Sequence, residues 1–215
     1  MPDDRISPKK SSASRHVDAC TQRPIVARDR VLDEAEQLFR TRGYNTVTMR
    51  DIALEVGIRQ ASLYYHFKSK EQLFVEVTER MFERHRIGLQ QAIDQNGSNL
   101  RSHLQAAGVW FLSQPPIHFL SMVHTDMPLL SEENINRLSA CSYKSIFEPI
   151  HQIFAQAKAQ GEIRDVRPEL LAGFFLSVME SIPFVTSSPS AVSGEIMVNE
   201  MINVLLDGLK PIRNL

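Results

Sequence analysis

Residues 48–67 read TMRDIALEVGIRQASLYYHF, two short stretches of helical character separated by a glycine. The first helix is predicted over Met49 to Val56 and the second over Gln60 to His66. Gly57 lies between them, and glycine readily adopts the left-handed backbone conformation in which many helices end. Because the connection is so short, the stretch is predicted to be a helix-turn-helix.

The side-chain spacing supports this interpretation. Thr48 followed by Asp51 predicts a helix start, since a hydroxyl N-cap is commonly paired with an acidic side chain three positions later. Ala53, one helical turn before the glycine, is small enough to let the two helices cross closely. The remaining apolar side chains would close a small core against a preceding helix, and they are Ile52, Val56, Ile58, Leu63 and Phe67.

Outside this stretch the sequence is also helical in periodicity, with no alternating strand pattern. One helix is predicted from about Pro24 to Arg42, and another is capped by Ser69 and runs to Arg86. Proline and glycine separate further helical segments, and the last two long ones have broad apolar faces. The fold class is therefore predicted to be all-α, with these last helices over Pro168 to Ile182 and Glu195 to Leu209.

The second helix of the motif has a polar outer face. Its side chains donate hydrogen bonds and few of them are acidic, as the major groove of DNA requires. Hydroxyl and arginine side chains at the preceding helix start favour a phosphate group. A helical protein-interaction module that does not bind DNA is the alternative. The residues of this predicted DNA-binding surface are Thr46, Thr48, Arg50, Arg59, Gln60, Ser62, Tyr64, His66, Lys68 and Lys70.

The charge distribution points to the same end of the chain. The net charge is -1, which by itself does not favour nucleic acid. Up to Arg86, however, there are 16 basic against 13 acidic residues, and beyond it 8 against 12. A polyanion is therefore expected to bind to the amino-terminal part.

The same residues resemble a known family. The run AEQLF from Ala35 to Phe39 with Gly43 and Tyr44, the run from Thr48 to Gly57, and SLYYHFKSKE from Ser62 to Glu71 resemble the TetR/AcrR transcriptional regulators. The resemblance implies phosphate contacts from Thr48, Tyr64 and Lys70, with support from Thr46, Tyr65, His66 and Lys68. It implies base reading by Arg50, Gln60 and Ser62.

The resemblance also implies a domain organisation. We expect a disordered tail over residues 1–23, a helix-turn-helix DNA-binding domain over 24–70, a connecting helix over 71–86 and a ligand-binding and dimerisation domain over 87–215. The expected protein is a homodimeric repressor that pairs through its last two long helices. It would bind a double-stranded, pseudo-palindromic operator and be released by a small, mainly apolar effector.

The second half of the chain is rich in aromatic and methionine residues. At helical spacing they are consistent either with an ordinary core or with a pocket for an apolar effector. His118, His124, Asn136 or Ser177 would orient such a ligand. The candidate pocket residues are Trp110, Phe111, Phe119, Met122, Tyr143, Phe147, Phe174, Phe175 and Met179.

Several other functions are not expected. The sequence has none of the common hydrolase, phosphate-loop, dinucleotide or zinc-protease motifs, so no catalytic residue and no cofactor is predicted. The histidines are scattered without ligand spacing, which predicts no metal site. Cys20 and Cys141 lie far apart, and neither a signal peptide nor an apolar run long enough to cross a membrane is recognisable. We therefore expect a cytoplasmic protein with no membrane partner.

Overall fold

The computed structural model describes residues 23–116, 119–187 and 192–210. Within these ranges every regular element is helical, which confirms the all-α prediction. The helices are α1 (Arg23–Arg42), α2 (Met49–Val56), α3 (Gln60–His66), α4 (Lys70–Gln95), α5 (Leu100–Ser113), α6 (Phe119–Ser121), α7 (Glu132–Ser142), α8 (Glu148–Ala159), α9 (Pro168–Thr186) and α10 (Gly194–Gly208). A π-turn over Met122–Asp126 and a short 3-10 turn over Met127–Leu129 follow α6, and a second π-turn over Tyr143–Phe147 joins α7 to α8.

The first three helices share one apolar core. Val31 and Ala35 of α1, Ile52 of α2 and Leu63 of α3 are completely buried, as is Phe67 directly after α3. The apolar spacing noted in the sequence therefore produces the expected packing.

Ion pairs join α1 to α4. The Arg80 guanidinium lies 2.7 Å from the Asp33 carboxylate, and Arg84 lies 2.6 Å from Glu36. Burial raises the pKa of Glu36, but hydrogen bonds and charge from Arg84 and Arg80 outweigh burial and leave that pKa lowered. The Glu36 carboxylate is therefore charged at neutral pH, and the three-helix unit is held to the first half of α4.

A second apolar cluster forms the larger part of the molecule. It joins the second half of α4 to α5, α8, α9 and α10. Leu89, Leu104, Phe154, Phe175 and Ile202 are completely buried within it. Helix α4 contributes to both clusters and so connects them.

One predicted boundary changes, and another predicted segment lies almost entirely outside the described residues. The prediction that the connecting helix ends at Arg86 is wrong, because α4 continues to Gln95. Leu89 is buried in the second cluster and extends the apolar face by another turn, and the helix ends only before Gly97, which has a φ of 72°. The predicted disordered tail over residues 1–23 falls outside the described residues, except for Arg23, which begins α1.

Helix α9 is longer and more exposed than the sequence suggests. It has 19 residues, with a mean hydropathy of 1.4 over an 18-residue window of which 28% is buried, so it meets a length and composition test for crossing a membrane. One side of it nevertheless packs against α8 and α10 within the bundle. The opposite side remains uncovered within a single copy of the chain.

Candidate nucleic-acid interface and ligand cavity

The start of α2 has the predicted capping geometry. The Thr48 hydroxyl accepts a hydrogen bond from the Asp51 backbone N–H at 3.2 Å and donates to the Asp51 carboxylate at 2.6 Å. That carboxylate also accepts from the Thr48 backbone N–H at 2.9 Å. Hydrogen bonds from Thr48 are the main cause of the lowered pKa of Asp51. The capping box fixes the first turn of α2 on the protein surface.

The turn between α2 and α3 depends on Gly57. Its φ of 75° is in the left-handed region, and the Ile58 backbone N–H closes the helix by donating to the Ala53 carbonyl at 2.9 Å. Ala53 is buried, as its predicted place in the helix crossing requires. The turn sets the direction in which α3 leaves α2.

Replacing Gly57 tests this geometry. No atom lies within 4 Å of a Cβ added at this position, so the cost of Gly57→Ala is backbone strain and not a clash. We expect Gly57→Ala to lower the free energy of unfolding by about 1–2 kcal/mol, measured by urea unfolding followed by circular dichroism. Gly57→Asn should cost clearly less, because asparagine tolerates the left-handed region. Equal free energies of unfolding for the wild type and Gly57→Ala would contradict the left-handed conformation assigned to Gly57.

Helix α3 is held by one side and exposed on the other. Leu63 is its buried residue, whereas Gln60, Ser62 and Tyr64 are exposed and Tyr65 is 83% exposed. A short rigid helix with an uncovered polar face is the geometry that major-groove binding requires.

Most of the predicted interface residues lie at the surface. His66 and Lys70 are half-buried. Lys68 is exposed, and its backbone N–H donates to the Gln72 side chain at 2.8 Å. The other exposed members of the predicted set are Thr46, Thr48, Arg50, Arg59, Gln60, Ser62, Tyr64 and Tyr65.

Lys70 is engaged within the protein. Its ammonium donates to the Tyr44 carbonyl at 2.9 Å and lies 4.2 Å from the centre of the Tyr44 ring. Burial lowers the pKa of Lys70, while the Asp126 carboxylate acts in the opposite direction. A phosphate contact from Lys70 would therefore compete with its bond to Tyr44, which makes Lys68 the better-placed lysine for the predicted phosphate contact.

The amino-terminal helices match a known family. Residues 31–77, which include α2 and α3, match the model of the bacterial regulatory proteins of the tetR family. This match covers 47 of the 215 residues of the chain. The matched family consists of regulatory proteins, as the prediction of a non-enzymatic regulator expects.

Curated relatives align with a short part of the chain. IcaR of Staphylococcus epidermidis, the negative transcriptional regulator of the biofilm operon icaADBC, is 40% identical over 55 residues, which are 26% of this chain and 30% of IcaR. The corresponding IcaR of Staphylococcus aureus strain Newman is 41% identical over 56 residues. The chain thus spans less than a third of the length of these curated relatives.

Solved structures extend the likeness to the whole TetR fold. A regulatory protein in the tetR family from Rhodococcus RHA1 superposes with a TM-score of 0.71 at 16% identity, covering 86% of this chain and 97% of that one. AibR, solved in complex with isovaleryl coenzyme A and operator DNA, superposes with a TM-score of 0.67 at 22% identity, covering 86% of this chain and 98% of its own. At these identities the likeness concerns the fold.

The larger part of the chain contains an apolar cavity. It has a volume of about 440 Å³ and lies among α4, α5, the second π-turn and α9. Five of the predicted pocket residues line it, together with the predicted polar residue Ser177. The five are Phe111, Phe119, Tyr143, Phe147 and Met179.

The structure places the other four predicted pocket residues elsewhere. Trp110 packs over Gly88 on α4, and Met122 faces a different cleft. On α9, Phe174 is half-exposed on the outer side and Phe175 is completely buried in the core, whereas Gly173 and five further residues of the helix face the cavity. Their rotation about the helix axis, which composition does not reveal, separates these side chains.

Two of the polar residues predicted to orient a ligand lie outside the cavity wall. His124 and Asn136 are exposed and do not line the cavity, and His118 lies outside the described residues. The cavity instead includes His85, which sequence analysis missed. The signal was its position, four residues after Met81 and four before Leu89 on the apolar face of α4. Within the described ranges, no three His, Cys, Asp or Glu side chains are grouped as metal ligands.

A second cleft, of about 490 Å³, lies between α1, the loop after it and α4 on one side and the first π-turn on the other. Across the boundary between these parts, the Asp126 carboxylate accepts a hydrogen bond from the Tyr44 backbone N–H at 3.1 Å. Burial raises the pKa of Asp126, while this bond and Lys70 act in the opposite direction. Pro115 and Pro116 line both this cleft and the apolar cavity. These two prolines therefore lie between the apolar cavity and the second cleft.

Proposed function

We propose that the chain is a homodimeric, sequence-specific DNA-binding repressor that acts in the cytoplasm and leaves its operator when a small, mainly apolar effector binds. The observation that carries the proposal is the exposed polar face of α3, held on a rigid three-helix core within the part that matches the TetR family. The similarity to the negative regulator IcaR, over 55 residues, supports repression.

The proposed interface divides into two functions. Arg50, Gln60 and Ser62 read base edges in the major groove, and Arg59 contributes to the same surface. Phosphates are contacted by Thr48, Tyr64 and Lys68, with Thr46, Tyr65, His66 and Lys70 around them. Two copies place two α3 helices on half-sites about one helical turn, ~34–36 Å, or a multiple of it apart.

Uncovered apolar side chains support a dimer through α9 and α10. Leu170, Phe174 and Phe184 of α9 and Ile196 and Val204 of α10 are exposed in a single copy. Two copies that pair these helices as a four-helix bundle would remove this surface from water. We therefore assign the dimer interface to these two helices.

The test combines DNA from the region upstream of the chain's own coding sequence with two variants. We expect Gln60→Ala to relax the preference at one operator position, costing ~1–3 kcal/mol there, in fluorescence-anisotropy titrations against single-base operator variants. Lys68→Ala should weaken binding to all these sequences equally and reduce the slope of affinity against salt. Identical effects of the two variants would contradict the division of functions. Failure of the wild-type chain to bind any DNA would favour the protein-interaction alternative.

In this proposal the effector acts through Pro115 and Pro116, which line both the apolar cavity and the second cleft. A ligand that fills the 440 Å³ cavity displaces Phe119 and the two prolines. The first π-turn then carries Asp126 with it, and the Asp126–Tyr44 hydrogen bond moves the loop before α2. The effector releases DNA only to the extent that it binds this displaced state more tightly.

Asp126→Ala tests that route. It removes the acceptor for the Tyr44 N–H, so we expect the ligand to bind as before but to release DNA at least ~5-fold less effectively. The ligand used is a compound from a thermal-shift screen that releases the wild-type chain, and the readout is operator affinity with and without it. Asp126→Asn keeps an oxygen acceptor and should behave like the wild type. Full release in Asp126→Ala would show that coupling takes another path.

A further inference from the structure

The cavity wall contains a buried histidine, His85, that makes no hydrogen bond to the described part of the chain. His85 is 1% exposed, and among the described residues neither its Nδ1 nor its Nε2 has a hydrogen-bond partner. A buried polar group without a partner destabilises the folded state unless something else satisfies it. Since His85 lines the cavity, a ligand in the cavity can reach it.

Neighbouring rings hold the imidazole in one orientation. It stacks on Phe111 with ring centres 5.8 Å apart and planes inclined at 27°, and it meets Trp110 edge-on at 6.1 Å. Gly88 leaves the space that Trp110 occupies, because a Cβ there would lie 2.0 Å from the indole ring. His85 is therefore positioned in advance of ligand binding, which reduces the cost of recognition.

Two serine hydroxyls and the acidic side chain of the wall are less suited to this role. The Ser142 hydroxyl donates to the Ser139 carbonyl at 2.9 Å, and the Ser177 hydroxyl donates to the Gly173 carbonyl at 2.8 Å. Glu180 is the one lining residue with a formal charge among the described residues, and its carboxylate disfavours an anion. Burial lowers the pKa of His85 to about 4, so the ring is neutral and offers one donor and one acceptor.

We infer that His85 is the polar anchor of this cavity and that its ligand is a neutral, largely apolar molecule presenting one hydroxyl or carbonyl oxygen to the imidazole. The inference rests on the proposed effector function and specifies its chemistry. The volume of about 440 Å³ lies within the roughly 300–1,000 Å³ range of small-molecule sites. The aromatic lining provides most of the contact area, and the hydrogen bond to His85 selects the functional group.

Four probes that share a naphthalene ring test the inference by calorimetric titration of the full-length chain. We expect 1-naphthol to bind about tenfold more tightly than naphthalene, because only the hydroxyl can pair with His85. The carboxylate 1-naphthoate and the ammonium of 1-naphthylmethylamine should both bind more weakly than 1-naphthol. Equal affinity for 1-naphthol and naphthalene, tighter binding of either ion, or no binding of 1-naphthol overturns the inference.

Variants localise the preference. In His85→Phe we expect 1-naphthol and naphthalene to bind equally, whereas His124→Phe, which changes an exposed histidine outside the cavity, should keep the wild-type preference. If His85→Phe does not fold, ¹⁵N-histidine NMR of the wild type decides the matter. In these spectra 1-naphthol, and not naphthalene, should shift the resonances of the His85 ring nitrogens. Resonances that stay unchanged on addition of 1-naphthol overturn the inference.

Operator binding is measured on the same preparations. A chain that binds DNA but not 1-naphthol rejects the cavity inference and leaves the DNA-binding proposal intact. A chain that shows the naphthol preference but binds no DNA does the reverse. The two proposals can therefore fail separately.

Discussion

Val204→Glu is expected to convert a dimer into a single chain of 24.4 kDa and to weaken operator binding on the order of 100-fold or more. Val204 is 73% exposed on α10, and in the proposed dimer it lies between apolar side chains of two copies. A carboxylate there would lose its hydration without gaining a partner, which opposes association. Operator affinity falls because a separate α3 helix no longer benefits from the high effective concentration provided by its twin.

The measurements are light-scattering mass at micromolar concentration and fluorescence anisotropy on a two-half-site operator. Val109→Glu is the matched control, because Val109 is a half-exposed valine on α5, outside the proposed interface. We expect Val109→Glu to keep both the dimer mass and the operator affinity. A Val204→Glu chain that still has twice the 24.4 kDa mass would place the interface elsewhere.

Acidification is expected to destabilise the wild-type chain through His85, by about 2 kcal/mol between pH 7 and pH 5. Burial lowers the pKa of His85 from 6.5 in the unfolded chain to about 4, with Arg84 acting in the same direction and Glu36 in the opposite one. Between these two values the unfolded chain binds a proton that the folded chain does not. Stability is therefore retained above pH 6.5 and is lost as the pH falls towards 4.

Urea unfolding at pH 7 and pH 5, at one protein concentration, measures this loss. In His85→Phe the His85 contribution should disappear, so its stability should fall less on acidification by about 2 kcal/mol. His124→Phe serves as control because His124 is exposed, and it should follow the wild type. Because Glu180 lines the same cavity as His85, Glu180→Gln should also be compared. If the free energies of unfolding of the wild type and His85→Phe depended on pH in parallel, His85 would take up its proton over the same pH range in the folded and unfolded chains.

The helix-turn-helix was predictable from sequence because its determinants are local. The bounds of α2 and α3 agree with the prediction, since Thr48 and Asp51 cap a helix by contacts three residues apart and Gly57 ends it through its own backbone conformation. The polar face of α3 followed from helical periodicity once Leu63 and Phe67 were assigned to the core. No distant contact was needed for either inference.

The cavity required the tertiary structure because it depends on how helices are rotated against one another. Phe174, Phe175 and Met179 share one helix and one kind of composition, yet they face the exterior, the core and the cavity wall. The hydrogen bond from the Lys70 ammonium to the Tyr44 carbonyl joins residues 26 positions apart. The hydrogen bond from the Tyr44 backbone N–H to the Asp126 carboxylate joins residues 82 positions apart. Helical spacing indicates which side chains share a face, but it does not identify what that face meets.

By itself, then, the sequence determined an all-α chain with a helix-turn-helix whose second helix exposes a polar face, because caps, glycine turns and apolar periodicity act within a few residues. The tertiary structure alone decided that α4 reaches Gln95, that His85 is buried beside an apolar cavity with no hydrogen-bond partner among the described residues, and that Asp126 contacts the loop before α2. These features arise where segments far apart in the chain pack together, and their energies depend on neighbours that local sequence does not specify.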